Sequence, residues 1–319
     1  MLLGLAPTLL FGLLLTSCAA AMATLARARW TWHAPRVAIL SWQALGLGFG
    51  LALIGLPLSI GLAPYGPPTA PALWRFLTDL WQGQLPAGIG PVQITATVVG
   101  VAVAAHLLWT TGASLWQALR TQRRHRQLLA LVGRADPAAP GALVLDHPHA
   151  AAYCLPGLRP TVVISAGTLA LLRRPELAAV LEHERAHATE RHDLVLLPFT
   201  ALRRAFPIRR WLCRVAEAVA LLVEMRADDR ARRRHPDAWL AAALHRFAGT
   251  SSPATPAGAL GIVDPLHLGP GPDPALALRM QRLTQRRRPP RLAGALTLAG
   301  TGLLAVAPVA LFTLPLLPG

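Results

Sequence analysis

The chain has 319 residues, 53% of them hydrophobic, and a formal net charge of +16. A mean hydropathy of +0.43 excludes an ordinary soluble domain and points to several membrane spans. Three scattered cysteines, Cys18, Cys154 and Cys213, exclude a disulfide framework and are expected as free thiols. Every basic residue is arginine and there is no lysine, which we read as a coding bias with no chemical message.

In chain order, residues 1–26 carry no charged side chain and are long enough to cross a bilayer. A cleaved signal peptide or a lipoprotein box at Leu15-Thr16-Ser17-Cys18 would call for a basic start, which is absent, so a span is expected over about 2–26. A second span is expected over 37–62. Its small residues, Gly46, Gly48 and Gly50, suit close helix packing and not a dinucleotide loop. Residues 65–91 read as a Pro/Gly-rich loop with a short interfacial helix from Pro71 to Trp81, its Trp74 and Trp81 at headgroup level. The third span covers about 92–119. It holds His106, an ionisable residue in a span and so a functional candidate, though a neutral histidine bonded to a neighbouring helix is the favoured reading.

Residues 120–291 are enough for one compact domain. It starts with helix continued through 127–132, then three short strands at 142–146, 151–155 and 161–164. His147 and His149 are expected at the surface, and Arg232 to Arg234 as a solvated helix end. Residues 250–256 and 265–274 read as loops. The fourth span is expected over 292–317, and the last segment is 292–319. Arg27, Arg29 and Arg36 follow the first span, Arg120, Arg123, Arg124 and Arg126 the third, and Arg286, Arg287, Arg288 and Arg291 precede the fourth. The 65–91 loop has one arginine, Arg75. By the positive-inside rule the 120–291 domain is cytoplasmic, the protein a multi-pass resident of the cell membrane, and its arginines contacts for anionic lipid. No direct nucleic-acid binding is expected, because the arginines flank spans and no helix-turn-helix or aromatic-basic strand pattern accompanies them.

The chemistry concentrates in Glu182-His183-Glu184-Arg185-Ala186-His187. On a helix, His183 and His187 share a face and reach one metal ion, while Glu184 lies beside the open coordination position as a general base. Pro175 suits the first turn of that helix, and Leu177, Val180 and Leu181 give it a buried stripe. A second helix, marked by Val215, Val219, Leu222 and Val223, carries Glu224 as third ligand. Asp228, one turn on, can take the other ring N–H of a ligating histidine. Two His, one Glu and an open position describe a catalytic Zn2+ site.

With these motifs the sequence resembles the gluzincin zinc peptidases with a Glu-x-x-x-Asp second motif. The likeness is to the BlaR/MecR-type integral membrane peptidases first and more distantly to the HtpX and CaaX prenyl protease group. The stretches 151–157 and 161–167 resemble the strand pair before the zinc helix, and Asp273-Pro274 with Arg279 resembles a late His-Pro…Arg signature with Asp for His. The resemblance implies a mainly α membrane protein of four transmembrane helices, with an α+β gluzincin-like domain inserted between helices 3 and 4. It implies Zn2+ on His183, His187 and Glu224, with Glu184 as base and Asp228 orienting a histidine. A peptide substrate would add as a strand along Ala151, Ala152 and Tyr153. Arg279, Arg226, Tyr153 and His267 are unranked candidates for stabilising the oxyanion.

The resemblance also implies regulatory cleavage of a cytoplasmic regulator such as a transcriptional repressor, with self-cleavage as an option. In the BlaR/MecR type an extracellular penicillin-binding sensor follows the fourth span. None is expected here, so a signal would enter through the spans, the short loop or a membrane sensor partner. Membrane quality control or prenyl-peptide cleavage of the HtpX type, and a non-catalytic membrane-anchored binding protein on a protease fold, stand as alternatives. An intact Glu184 argues against the last, since a scaffold has no need of a base.

Overall fold

The computed structural model describes residues 2–86, 88–157, 160–206, 210–249, 260–261, 274–285 and 291–314. The helices are α1 (Leu2–Leu25), α2 (Pro35–Gly61), α3 (Thr69–Gln82), α4 (Pro91–Val132), α5 (Ala166–Leu171), α6 (Arg174–Thr189), α7 (His192–Ala205), α8 (Arg210–Ala231), α9 (Asp237–Ala248), α10 (Pro274–Thr284) and α11 (Arg291–Thr313). The strands are β1 (Arg134–Ala135), β2 (Ala142–Leu145), β3 (Ala152–Leu155), β4 (Thr161–Ser165) and β5 (Leu260–Gly261). The loops expected at 250–256 and 265–273, with Asp273, His267 and Arg286 to Arg288, lie outside the described residues.

Four helices, α1, α2, α4 and α11, are long and apolar enough to cross a membrane. At 1.5 Å per residue α4 is roughly 63 Å long, about twice a bilayer core, so its arginine-bearing C-terminal part continues beyond it. The helices approach closely where glycine allows. A Cβ on Gly61 of α2 would sit 2.6 Å from the Thr97 amide nitrogen of α4, and one on Gly48 3.2 Å from Cys18 Sγ of α1. Gly50 has open space around it, so of the three small residues read as packing aids only Gly48 is tightly enclosed. His106 contacts the Ala205 carbonyl at the end of α7 through Nε2 at 3.2 Å, as expected of a histidine bonded to a neighbouring helix.

The sheet has the order β1-β2-β4-β3-β5, antiparallel except for the β2–β4 pair. Period-two alternation splits its side chains. Val144, Ala152, Val162 and Ile164 join Leu177, Val180 and Leu181 of α6 and Leu240 and Leu244 of α9 in one core. Tyr153, Leu155 and Val163 face the other way, onto Leu129 of α4. The β3 edge read as open is occupied. Tyr153 pairs with Gly261 and Cys154 with Leu260 on β5. Ala151 also has its backbone committed, its N–H donating to Ser165 Oγ and its carbonyl accepting from Ser165 N and Thr168 Oγ1. Tyr153 and Ala151 thus each have backbone or side-chain neighbours of their own among the described residues. Arg232 to Arg234 are likewise not a merely solvated helix end. Arg232 makes a two-pronged bond to Asp237, and Arg234 reaches the buried Glu182 at 2.6 Å.

The apolar stripe of α8 packs against the membrane helices. Val215, Val219, Leu222 and Val223 share a cluster with Cys18 and Met22 of α1, Trp42 and Leu45 of α2, and Phe199 of α7. One helix therefore rests on the membrane bundle with one face and presents Glu224 with another. Helix α7 packs on α2, α4 and α8, and Gln43 of α2 donates to its Val195 carbonyl at 2.7 Å.

Candidate metal centre

Helix α6 is set by its own sequence at both ends. The Glu176 carboxylate accepts from the Arg173 N–H at 2.9 Å at the N-terminus, where Pro175 costs no backbone bond. Beyond its C-terminus Arg191 adopts a left-handed conformation (φ 49°), uncommon for a residue with a side chain. That tight reversal starts α7 at once and folds His192 back against the end of α6.

His183 and His187 are fully buried and one turn apart, with their Nε2 atoms 3.1 Å from each other. Glu224 of α8 meets both, Oε2 at 3.4 Å from His183 Nε2 and Oε1 at 3.4 Å from His187 Nε2. These three side chains offer donor atoms that all lie within 4.8 Å of one another, and they form the one such set found among the described residues. Two imidazole nitrogens and a carboxylate converging in this way fit a divalent cation such as zinc. Glu224 is 17% exposed while both histidines are closed off, so the opening lies on the Glu224 side.

The outer contacts fix each imidazole. His183 Nδ1 is 3.0 Å from Asp228 Oδ1, on the turn after Glu224. Asp228 is itself held by Arg279 of α10, which donates through Nε at 2.9 Å and Nη2 at 2.7 Å and reaches Glu224 Oε2 through Nη1 at 3.0 Å. His187 Nδ1 lies 2.9 Å from His192 Nδ1, and His192 Nε2 faces Glu190 at 3.7 Å. Glu190 is clasped by Arg226 at 2.7 and 2.8 Å. For His187 to offer Nε2 to an ion, its proton must sit on Nδ1 and be donated to His192. The His192 proton is then on Nε2, toward Glu190.

Glu184 is buried beside this set, with no side-chain hydrogen-bond partner and the Cys154 backbone N–H facing its carboxylate. Burial pushes its pKa up to about 8, against the opposing pull of His183. Burial pushes His187 well below the usual histidine range. Burial also acts to lower His183, but the Asp228 and Glu224 contacts outweigh it and raise the group to about 9. Glu224 is the reverse: burial raises it, and His187 and Arg279 together bring it down to about 2. A cation at the point of convergence would hold both imidazoles neutral and leave Glu224 and Asp228 ionised.

The structure thus brings His183, Glu184, His187, Glu224, Asp228 and Arg279 together. Of the oxyanion candidates, Arg226 is committed to Glu190, and Arg279 to Asp228 and Glu224. The Tyr153 hydroxyl bonds His125 Nε2 at 2.8 Å on the far face of the sheet, and His267 lies outside the described residues. His192 and Glu190 were not singled out from the sequence, and Arg226 was named only as an oxyanion candidate. The legible signal was a histidine five residues past His187 across a break in the helix.

No solved structure matches the chain. Residues 118–254, from the end of α4 through α9, match the model of peptidase family M48, a family of metallopeptidases that generally use a divalent metal, usually zinc.

Proposed function

We propose that the protein is an integral membrane, zinc-dependent endopeptidase that cleaves a cytoplasmic or membrane-associated protein, and that its role is regulatory proteolysis of a transcriptional repressor. The observation that carries the catalytic reading is Glu184, a buried carboxylate with no side-chain partner beside three converging ligands. A scaffold gains nothing from that arrangement, since a buried carboxylate without a countercharge bonded to it costs stability. His183, His187 and Glu224 would hold the zinc, with Asp228 and His192 fixing the two imidazoles. When bound, the zinc lowers the pKa of a water and polarises the scissile carbonyl. Glu184 takes the proton of that water on a carboxylate oxygen and passes it to the leaving amine. Arg279 balances the charge of Glu224 and Asp228 through the cycle. The repressor as target rests on the BlaR/MecR-type resemblance and on the arginine asymmetry that assigns 120–291 to the cytoplasmic side.

Glu184→Gln and Glu224→Ala separate the roles. The first should keep one zinc per chain while cleavage falls by on the order of 10²–10⁴-fold, because Gln keeps the shape but cannot accept the proton. The second should lose zinc and activity together. Metal analysis and a cleavage assay on purified protein decide it. Normal cleavage by both variants sinks the peptidase reading; zinc lost from the first and kept by the second reverses the assignment. Comparing membrane and cytosolic proteomes with and without Glu184→Gln identifies the substrate, and an unchanged repressor pool would remove the regulatory reading.

A further inference from the structure

A cleft of about 620 Å³ opens where the membrane helices meet the outer face of the metal-centre helices, within the size range of ligand sites. Its walls come from the C-terminal end of α1, the turn holding Trp32, the start of α2, the first half of α8 and the start of α10. It is separate from the metal centre, since none of the site residues lines it. The floor is apolar and buried, with Met22, Leu25, Trp42 and Leu222. The Trp42 indole N–H, in that wall, has no hydrogen-bond partner. At the rim stand Arg27 and Arg214, both exposed, and neither forms an ion pair among the described residues. Glu217 lines the same cleft one turn after Arg214 without closing a salt bridge to it.

Apolar depth, two unpaired guanidinium groups at the rim and an unused N–H donor call for an amphiphile with an anionic, acceptor-rich head. Position chooses among such molecules. The α1 end and the α2 start lie where two apolar helices leave the bilayer core, at headgroup level. We propose that this cleft binds one anionic phospholipid from the surrounding leaflet, its phosphate on Arg27 and Arg214 and an acyl chain on the Trp42 floor. Arginine matches a phosphodiester with paired N–H donors, which a zwitterionic head with its own ammonium group competes for less well. The inference rests on α1 and α2 spanning a membrane and not on the peptidase reading. The bound lipid would touch α8 and α10 together. Those helices are tied by Arg282, which meets Asp229 at 2.7 Å, and they carry Glu224 and Arg279.

Native mass spectrometry of the full chain, released from detergent after incubation with defined lipids, tests this. Phosphatidylglycerol should give a single retained adduct, phosphatidylcholine a much weaker one, and glycerol 3-phosphate at equal concentration none. The surface double variant Arg27→Gln/Arg214→Gln should weaken the phosphatidylglycerol adduct by on the order of tenfold. Ala218→Trp, which fills the cleft and keeps both arginines, should weaken it equally. Equal retention of the two phospholipids overturns the proposal, as does wild-type retention by Ala218→Trp, which would mean non-specific lipid around the spans. Binding of glycerol 3-phosphate as strong as that of the lipid would reduce the cleft to a simple anion site and overturn it too. The double variant, altered only at exposed positions, keeps the question open to refutation if the filled variant does not fold.

Discussion

Asp228 shows how one carboxylate serves the candidate metal centre and the fold at once. It faces His183 on one side and takes two bonds from Arg279 on the other, with both Asp228 and Arg279 almost fully buried. Arg279 keeps Asp228 well below the usual carboxylate range despite burial. Asp228→Ala should therefore do more than loosen zinc by about 10–100-fold, the effect of losing a partner behind a ligand. It should also lower stability by roughly 3–5 kcal/mol, because Arg279 is left charged and half-paired in the interior. Pairing it with Arg279→Met should recover part of the melting temperature but not the zinc affinity. A single variant that melts and binds zinc like wild type would reduce Asp228 to a bystander. His192→Ala should weaken zinc by a similar factor through His187 alone and cost less stability, since it leaves no buried charge unpaired. Parallel metal titrations and melts distinguish the two, and wild-type affinity in His192→Ala would show that His187 needs no partner.

At the scale of elements, α8 is the piece on which the two halves of the molecule agree. Its apolar stripe seats it on α1, α2 and α7, and the turn bearing Glu224 then faces α6. The position of α2 matters in turn to α8, and α2 is held close to its neighbours by glycines. Gly61→Val would drive a side chain into the Thr97 backbone of α4, which cannot move out of the way as a flexible side chain could. Overpacking of this kind costs roughly 1–3 kcal/mol. Gly50→Val, with open space around it, should be silent. Thermal melts of both variants in the same detergent test the contrast, and equal melting temperatures would refute the close α2–α4 crossing.

For the whole molecule, the arginine asymmetry makes the strongest statement about side. Reporter fusions near Leu80 and at Gly249 should report outside and inside respectively, because the loop before α4 carries one arginine and the segment after it many. The reverse result would place the metal centre outside and end the repressor hypothesis. Trp74 and Trp81 of α3 are largely exposed, at 70% and 93%.

Much of this was legible in the chain itself. Long uncharged runs announce α1, α2, α4 and α11, since a bilayer leaves a backbone little choice but a helix. His183, Glu184 and His187 follow from helical spacing, and Glu224 and Asp228 from the same one-turn rule, because local geometry alone puts them on shared faces. The tertiary structure decided what depends on contacts distant in sequence. Asp228 turned out to share itself between His183 and Arg279, 51 residues away. His192 met His187 only because Arg191 reverses the chain. The β3 edge, open by local reading, was taken by β5 from more than a hundred residues on, since a strand's pattern gives its faces and says nothing of its neighbours. The lipid-sized cleft has no sequence signature either, because its walls come from five separate segments that meet only when α8 docks on the membrane bundle.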